Sequence, residues 1–180
     1  MRKRHVLTIL FGVLMTTAVS AQEAGQLKGF SVVLLLGETQ GTVPDRDLSS
    51  SAKKALADIK EFLPYRGYKV LDTQWVAGST SGTSRGRIRG LEEKEYEFEL
   101  VTIPSRVPEK PGAAHRPLAS ARFIMMTPPI GYGPSGKFGA TTILDNSFAI
   151  KPGETVVVGT SRAKGDSALI VLLTAVVSEK

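Results

Sequence analysis

The sequence predicts an α+β domain in which one amphipathic helix, residues 46–63, packs on a mainly antiparallel, β-rich sheet. Apolar residues recur at helical intervals between Leu48 and Leu63, which favours a helix with one buried face. Alternating or continuous apolar runs, typical of strands, fill most of the remaining chain. The chain has 180 residues, of which 42% are hydrophobic and 22% charged, so it has the length and balance of one globular domain.

The first 21 residues have the pattern of a secretory signal peptide. Arg2, Lys3 and Arg4 form a basic start, an apolar run follows over residues 6–15, and small residues end at Ala21. This run is shorter than the roughly 20 residues of a membrane-spanning helix, so a retained anchor is the weaker alternative. We expect an exported chain with a signal peptide over residues 1–21, a polar leader over 22–29 and a single domain over 30–178.

Charge and cysteine content limit the possible partners and chemistry. Removal of the three basic residues of the signal peptide leaves 20 of the 23 Lys and Arg against 17 Asp and Glu, so the net charge falls from +6 to +3. Without a dense basic run, this charge predicts no nucleic-acid partner. The chain contains no cysteine, which excludes disulfides, thiolate metal sites and cysteine nucleophiles.

The N-terminal half of the domain predicts a strand, the helix and a second strand. Residues 30–36 are apolar on both alternating faces, as in a central strand covered from both sides. Residues 44–47 are of the types that commonly begin a helix. The predicted buried face of the helix extends to Phe62, and Pro64 ends the helical pattern. Residues 68–77 form the second strand, and this order favours a parallel, right-handed crossover.

Two stretches of strict alternation predict a β-hairpin with cross-strand ion pairs. Arginines occupy alternate positions over residues 85–89, and glutamates occupy alternate positions over 95–99. A calcium site is the alternative, but glutamates spread along a strand do not converge into a cage of oxygens. With a turn around Glu92 and Glu93, the expected pairs are Arg89 with Glu95, Arg87 with Glu97 and Arg85 with Glu99.

The C-terminal region predicts a β-meander over residues 141–150, 155–159 and 168–177. Pro152 and Gly153 fit the centre of a type II turn. Residues 168–177 are almost continuously apolar, which predicts a buried strand.

Candidate partner surfaces lie in loops and at strand edges. Residues 104–117 contain four prolines and predict a long surface loop, and residues 131–136 form a second irregular segment. Exposed edges of strands could also accept a strand from a partner. The candidate contact residues are Arg106, Lys110, His115, Arg116 and Tyr132.

Two motifs have the spacing of functional sites without their context. Gly131, Gly133 and Gly136 match a dinucleotide-binding loop, but prolines precede them and no helix-start sequence follows. Ser50 and Lys53 have the spacing of a serine acyltransferase, but the companion motifs are missing, so we interpret these serines as helix-start residues.

His115 is the only histidine after residue 21, which excludes a histidine-pair zinc site. We therefore predict no catalytic residue, metal or cofactor.

Residues 148–159, Phe-Ala-Ile-Lys-Pro-Gly-Glu-Thr-Val-Val-Val-Gly, resemble the strand, glycine turn and hairpin near the C-terminal β-region of bacterial secretins. As a whole, the chain resembles small exported Gram-negative envelope proteins of unknown function, which have a helix followed by a β-rich C-terminal half. These resemblances imply an envelope location, periplasmic or associated with the outer membrane, and no known activity.

We accordingly expect a noncatalytic exported envelope protein that binds an envelope protein partner, as an accessory component of a secretion or envelope assembly. Self-association and peripheral membrane contact are compatible with this expectation. One alternative is a structural subunit that oligomerises through its C-terminal β-strands. Another is a hydrolase that uses carboxylates, or a serine with His115.

Overall fold

The computed structural model describes residues 27–40, 48–59, 61–104, 119–128, 131–133 and 136–177, without the side chains of residues 119, 131–133 and 136–138. The elements in chain order are β1 (Leu27–Glu38), α1 (Ser50–Ile59), β2 (Gly67–Ala77), β3 (Gly82–Arg89), β4 (Glu95–Pro104), β5 (Ala119–Met126), β6 (Gly131–Gly133), β7 (Gly136–Phe138), β8 (Thr142–Ile150), β9 (Thr155–Arg162) and β10 (Ala168–Val177).

The strands form two four-stranded antiparallel sheets that pack face to face. The first sheet has the order β2-β1-β10-β9 and the second has the order β3-β4-β5-β8. β6 and β7 pair as a separate two-stranded ribbon. Local hairpins build most of the ladders, but β1 pairs with β10 across almost the whole domain.

The predicted α+β class is wrong, because the described chain is mostly β with one short helix. The described helix extends over Ser50–Ile59, a shorter range than the predicted residues 46–63. The hydroxyl oxygen of Ser49 accepts a hydrogen bond from the amide of Ala52 at 3.2 Å, and this capping bond marks the start of α1. Phe62, predicted on the buried face, is 82% exposed because it lies beyond the helix.

In the described ranges no helix has the length and apolar character needed to cross a membrane.

The predicted parallel crossover between the first two strands is also wrong. β1 and β2 are antiparallel neighbours, with Glu38 opposite Gly67. The amide of Arg66 donates to the carbonyl of Glu38 at 2.9 Å, so the connection leaves and re-enters the sheet at the same end. The segment that contains α1 is therefore a long hairpin connection that folds back over the outside of the first sheet.

The main core fills the space between the two sheets. The rings of Phe98 and Phe123 stack there with centroids 5.6 Å apart, and neither side chain is more than 1% exposed. Strands β1, β3, β4, β5, β8, β9 and β10 all contribute fully buried apolar residues to this core. The space between the sheets is thus occupied by packed side chains, which is typical of a protein interior.

Strands β1 and β10 are buried, as predicted for residues 168–177, and the part of β1 that lies beneath α1 is covered on both faces, as predicted for residues 30–36. Their inward side chains enter the main core, while Leu35, Ile170 and Leu172 point to the opposite, outer face. There they pack against Ala52 and Leu56 of α1. These continuous apolar runs are therefore explained by burial on two sides rather than one.

The predicted Arg/Glu hairpin is confirmed. β3 and β4 pair antiparallel in the expected register, with Arg85 opposite Glu99 and Arg87 opposite Glu97. The corresponding ion pairs measure 2.8 Å and 3.3 Å. The turn contains the expected acidic residues, and both have positive φ values. Arg89 lies opposite Glu95 in the register, as predicted, but its guanidinium group forms its ion pair with Glu93 of the turn, at 3.9 Å, instead of the predicted pair with Glu95.

The three predicted C-terminal strands are present, but their meander pairing is only partly correct. β9 pairs with β10, whereas β8 pairs with β5 in the other sheet. The Pro152-Gly153 turn is confirmed, because Gly153 has a φ of 73° and the amide of Glu154 donates to the carbonyl of Lys151 at 3.1 Å. This turn carries the chain from the second sheet to the first.

The edges of the two sheets meet at two seams. At the β2/β3 seam, the carboxylate of Asp72 accepts a hydrogen bond from the backbone amide of Arg89 at 2.8 Å. At the β8/β9 seam, the side-chain amide of Asn146 donates to the carbonyl of Val158 at 2.6 Å. Polar side chains therefore join backbone groups of the two sheets where no regular ladder connects them.

The pKa of Asp72 lies below its usual value. Burial raises this pKa, but hydrogen bonds from the amide of Arg89, the side chain of Gln74 and the amide of Thr73, together with the charge of Arg89, lower it by more. The ionised form of Asp72 therefore stabilises the folded protein. This stabilisation is fully present above the unfolded-state pKa of about 3.9 and is lost as the pH falls through the lower folded-state pKa.

We expect Asp72→Asn to flatten the loss of stability in acid. Unfolding free energies from urea titrations at pH 7 and pH 3 should differ less for the variant than for the unchanged protein, because the variant lacks the carboxylate of the seam. The pKa of Asp145 is lowered by a hydrogen bond from Arg122 and by the charge of Arg122, so Asp145 contributes to the loss of stability in acid in both proteins. Equal pH dependences in the two proteins would contradict the role of Asp72.

We expect a double-mutant cycle of Arg85→Gln and Glu99→Gln to give a coupling free energy of about 0.2–1 kcal/mol. The pair is 2.8 Å apart but largely open to solvent on the arginine side, so the coupling should shrink in about 1 M NaCl, where screening is strong. Urea unfolding of the unchanged protein, the two single variants and the double variant at low and high salt measures this coupling free energy. A coupling that is insensitive to salt would show that packing, not charge, joins these residues.

Candidate functional site

The residues predicted to contact a partner lie mostly outside the described parts of the chain. Arg106, Lys110, His115 and Arg116 all fall between β4 and β5 in residues 105–118. Tyr132 lies in β6, where the backbone is described and the side chain is not. The structure therefore brings none of these five side chains into a described site, and their role stays a prediction.

The two motifs with familiar spacing occupy ordinary structural positions. Gly131, Gly133 and Gly136 lie in the β6/β7 ribbon, and the next described element after it is β8 rather than a helix. Ser50 and Lys53 lie in the first turns of α1. These positions agree with the interpretation of the first motif as a glycine turn and of the serines as helix-start residues.

The strand edges expected to accept a partner strand each lie beside a strand of the other main sheet. β2 runs beside β3, and β8 runs beside β9. The hydroxyl of Ser84 donates to the carbonyl of Ala77 at 3.1 Å, so backbone groups at the β2/β3 seam are already engaged. Acceptance of a partner strand at these edges stays a prediction, and it would require separating each edge from the strand beside it.

The outer face of the second sheet carries charges that neutralise one another. Besides the Arg85 and Arg87 pairs, the guanidinium group of Arg122 donates two hydrogen bonds to the carboxylate of Asp145, at 2.8 Å and 2.7 Å. That hydrogen bond and the neighbouring charge raise the pKa of Arg122. A shallow depression of about 460 Å³ lies on this face, lined by Arg85, Gly86, Arg87, Glu97, Phe98, Glu99 and Met126. With its charges paired within the sheet, this face has the character of a solvated surface.

The outer face of the first sheet is divided into two unlike halves. One half is apolar and lies beneath α1, where Leu35, Ile170 and Leu172 are buried. The other half lies toward the starts of β1 and β9 and the ends of β2 and β10, and it presents Trp75, which is 58% exposed. Trp75 is the only tryptophan of the chain.

Trp75 begins a row of side chains that crosses all four strands of the first sheet. Trp75 lies opposite Ser31, Ser31 lies opposite Thr174, and Thr174 lies opposite Thr155. Residues that pair across antiparallel strands project to the same face, so the four side chains share the outer face. We call this row, Trp75-Ser31-Thr174-Thr155, the Trp75 platform.

The indole ring lies across the neighbouring strand. A methyl group placed on Gly29 would collide with the backbone carbonyl oxygen of Val76 and would meet the ring carbons Cζ2 and Cε2 of Trp75 at 2.8 Å and 2.9 Å. Only a glycine therefore lets the indole lie this close to β1. Because the sheet supports the ring from below and more than half of the residue remains exposed, the ring is held in place and open to a ligand.

The hydroxyl groups of the Trp75 platform are linked and partly exposed. The Thr155 and Thr174 hydroxyls share a hydrogen bond of 2.7 Å, and Ser31, Thr155 and Thr174 are each only partly buried. A hydroxyl can both donate and accept, so each can form a further bond to a ligand. The platform can hold a ligand but carries no acid, base or strong nucleophile of its own.

The described residues contain no group of three or more histidine, cysteine, aspartate or glutamate side chains that could hold a metal ion. A second shallow depression, about 330 Å³, surrounds the β2–β3 turn. There the hydroxyl of Thr102 donates to the carbonyl of Ser79 at 2.9 Å, so the polar groups serve to hold the turn itself.

The Trp75 platform was not among the sites predicted from the sequence. The strand predicted over residues 68–77 contains Trp75, but that prediction does not say which face of the sheet the side chain occupies. One signal was present: Thr73 and Trp75 have the same strand parity, and a polar residue on the same face as a tryptophan indicates that the face is open. The three hydroxyl residues come from strands far apart in the chain, so their row could not be seen without the register.

The secretin-like stretch, residues 148–159, forms the end of β8, the Pro-Gly turn and the beginning of β9. These two strands belong to different sheets, so the stretch is not a paired hairpin here. No protein-family model, curated protein or solved structure matches this chain.

Proposed function

We propose that this chain is an exported, noncatalytic binding domain that holds another component of the Gram-negative envelope on the Trp75 platform. The observation that carries the proposal is the 58% exposure of Trp75 on the outer face of the first sheet. Tryptophan combines a large apolar surface with one polar group, and it is enriched at binding interfaces. An exposed tryptophan whose ring lies over a neighbouring strand supports a surface that a ligand covers.

Export is supported by the N-terminal pattern of basic residues, apolar run and small residues. The noncatalytic character is supported by residue types, since the chain after residue 21 has one histidine and no cysteine. Binding through a sheet face is supported by the engaged strand edges at both seams.

The position of β10 favours binding over self-association through the C-terminal strands. β10 lies between β1 and β9, and Ile170, Leu172 and Leu173 have 0% exposure. A subunit that oligomerised through β10 would first have to separate it from both neighbours and expose this apolar surface. An assembly would more readily use a surface that is already open.

We expect the chain recovered from cells to begin at Gln22. The physical reason is the short apolar run followed by small residues, which is typical of a cleaved signal peptide rather than an anchor. Intact-mass measurement on the periplasmic and envelope fractions checks the cleavage site. Recovery of the chain only from the cytoplasm, with residues 1–21 intact, would contradict export.

We expect Trp75→Ala to weaken binding of the mature chain to washed envelopes of the producing cell by at least about tenfold, the loss typical of a central aromatic anchor. Cosedimentation over a range of protein concentrations measures the affinity. Phe62→Ala is the matched control, because Phe62 is also an exposed aromatic residue, at 82%, but lies beside α1.

The Phe62→Ala variant should bind as the unchanged protein does. Urea unfolding must show that the Trp75→Ala protein is folded under the assay conditions, and Trp75→Phe, which keeps an aromatic ring, should retain part of the binding. Unchanged binding by a folded Trp75→Ala protein would contradict the proposed function.

A further inference from the structure

We propose that the Trp75 platform binds an uncharged glycan chain, with a sugar ring stacked on the indole and sugar hydroxyls bonded to Ser31, Thr174 and Thr155. This inference rests on the proposed function, because it names the chemical class of the component that the platform holds. It follows from three properties of the platform: the seating of the ring, the row of hydroxyls and the lack of charge.

The first property is the seating of the indole. The Cζ2 and Cε2 atoms of Trp75 lie over Gly29, so β1 supports the ring while the residue stays 58% exposed. One face of a pyranose ring presents several C–H groups and is apolar, and such a face stacks on an aromatic surface. A ring already supported by the sheet loses little freedom when a sugar covers it, which favours binding.

The second property is the direction and length of the hydroxyl row. Neighbouring strands lie about 4.8 Å apart, so the row from Trp75 to Thr155 extends about 14 Å across the sheet. This length suits a chain of linked sugars rather than one ring. Thr155 and Thr174 already share a 2.7 Å hydrogen bond, and hydrogen bonds in a chain strengthen one another. Sugar hydroxyls, which also donate and accept, match these partners.

The third property is that the residues in register on either side of the row are uncharged. On one side of it, in register, lie Thr73, Val33, Leu172 and Val157; on the other lie Ala77, Gly29 and Val176. None of these carries a charge, in contrast to the Arg/Glu face of the second sheet. Since none of these positions offers a cationic side chain, the row gives an anionic ligand no charged partner of its own, which favours an uncharged ligand.

A glycan fits this surface better than a protein partner does. Anchor residues of protein interfaces usually enter packed, fully desolvated pockets. The Trp75 platform is instead a row on an open sheet face, and its four residues line neither of the two depressions described above. Stacking and hydroxyl bonding need no pocket.

A purely structural role for Trp75 is the competing explanation. An aromatic side chain over a strand glycine can protect the sheet and stabilise it. This role predicts that Trp75→Ala destabilises the protein and that no glycan binds. The two explanations therefore differ in a direct measurement.

The experiment uses the mature chain, residues 22–180, and two neutral probes: the β-1,4-linked tetramer of N-acetylglucosamine and the α-1,4-linked tetramer of glucose. Because Trp75 is the only tryptophan, intrinsic fluorescence reports on the platform alone. We expect a saturable change in emission with at least one tetramer and binding at least tenfold tighter than that of the corresponding monosaccharide. Isothermal calorimetry confirms the affinities and applies equally to Trp75→Ala, which should not bind.

The hydroxyl row is tested by the double variant Thr155→Val and Thr174→Val, which removes two hydroxyls while nearly conserving volume. We expect affinity for the tetramer to fall about five- to tenfold, as for the loss of one or two hydrogen bonds. Thr83→Val, on the exposed outer face of the second sheet, is the matched control and should leave affinity unchanged.

The outcomes separate the inference from the proposed function. Absence of saturable binding to both tetramers overturns the glycan inference; if Trp75→Ala still loses envelope binding, the proposed function survives with a protein partner. If the protein binds neither the tetramers nor the envelopes, and Trp75→Ala only lowers its stability, then Trp75 has a structural role, and both the glycan inference and the proposed function are overturned. Tetramer binding that the Thr155/Thr174 double variant retains in full overturns the assignment of the hydroxyl row.

Discussion

The hydrogen-bonded ladder between β1 and β10 joins the beginning and end of the described chain, because Leu27 lies opposite Val177 and Gly37 opposite Ala168. Both strands occupy the centre of the first sheet, and they are buried on the inner face and, beneath α1, on the outer face. Their inward residues complete the core against the second sheet, and their outward residues form the floor on which α1 packs. Burial of this apolar surface is a dominant source of stability in such a fold. Every other ladder in these two sheets, including the one between β1 and β2, joins two strands that are consecutive along the described chain once the separate β6/β7 ribbon is set aside.

The two outer faces differ because only one of them has a second layer. On the first sheet, α1 covers an apolar half and leaves the Trp75 platform beside it. On the second sheet, alternation places charged side chains outside, where they form pairs such as Arg122 with Asp145. One face is therefore polar and internally satisfied, and the other combines an apolar half with a neutral aromatic half. This asymmetry is what distinguishes a candidate binding surface from an ordinary solvated one.

The seams also decide how a partner could approach. At both seams the edge of one sheet faces the edge of the other, and side chains such as Asp72 and Asn146 bond to backbone groups there. Lys164 and Glu92 add an ion pair of 3.5 Å between turns that belong to different sheets. Strand addition at these edges would break such contacts. Recognition by a face needs no such rearrangement, which agrees with a rigid surface that is complete before the ligand arrives.

Local patterns determined the features that depend on neighbours in sequence: the buried strands near residues 30–36 and 168–177, the Arg/Glu hairpin with its register, and the Pro152-Gly153 turn. Each follows from side-chain alternation or turn chemistry, which act over a few residues. The fold class, the antiparallel β1–β2 pair and the separation of β8 from β9 were decided only in the tertiary structure. A helical pattern says that one face is buried but not against what, and a strand pattern does not name its partner. The Trp75 platform depends wholly on that missing information, because Trp75, Ser31, Thr174 and Thr155 become neighbours only when the first and last strands pair.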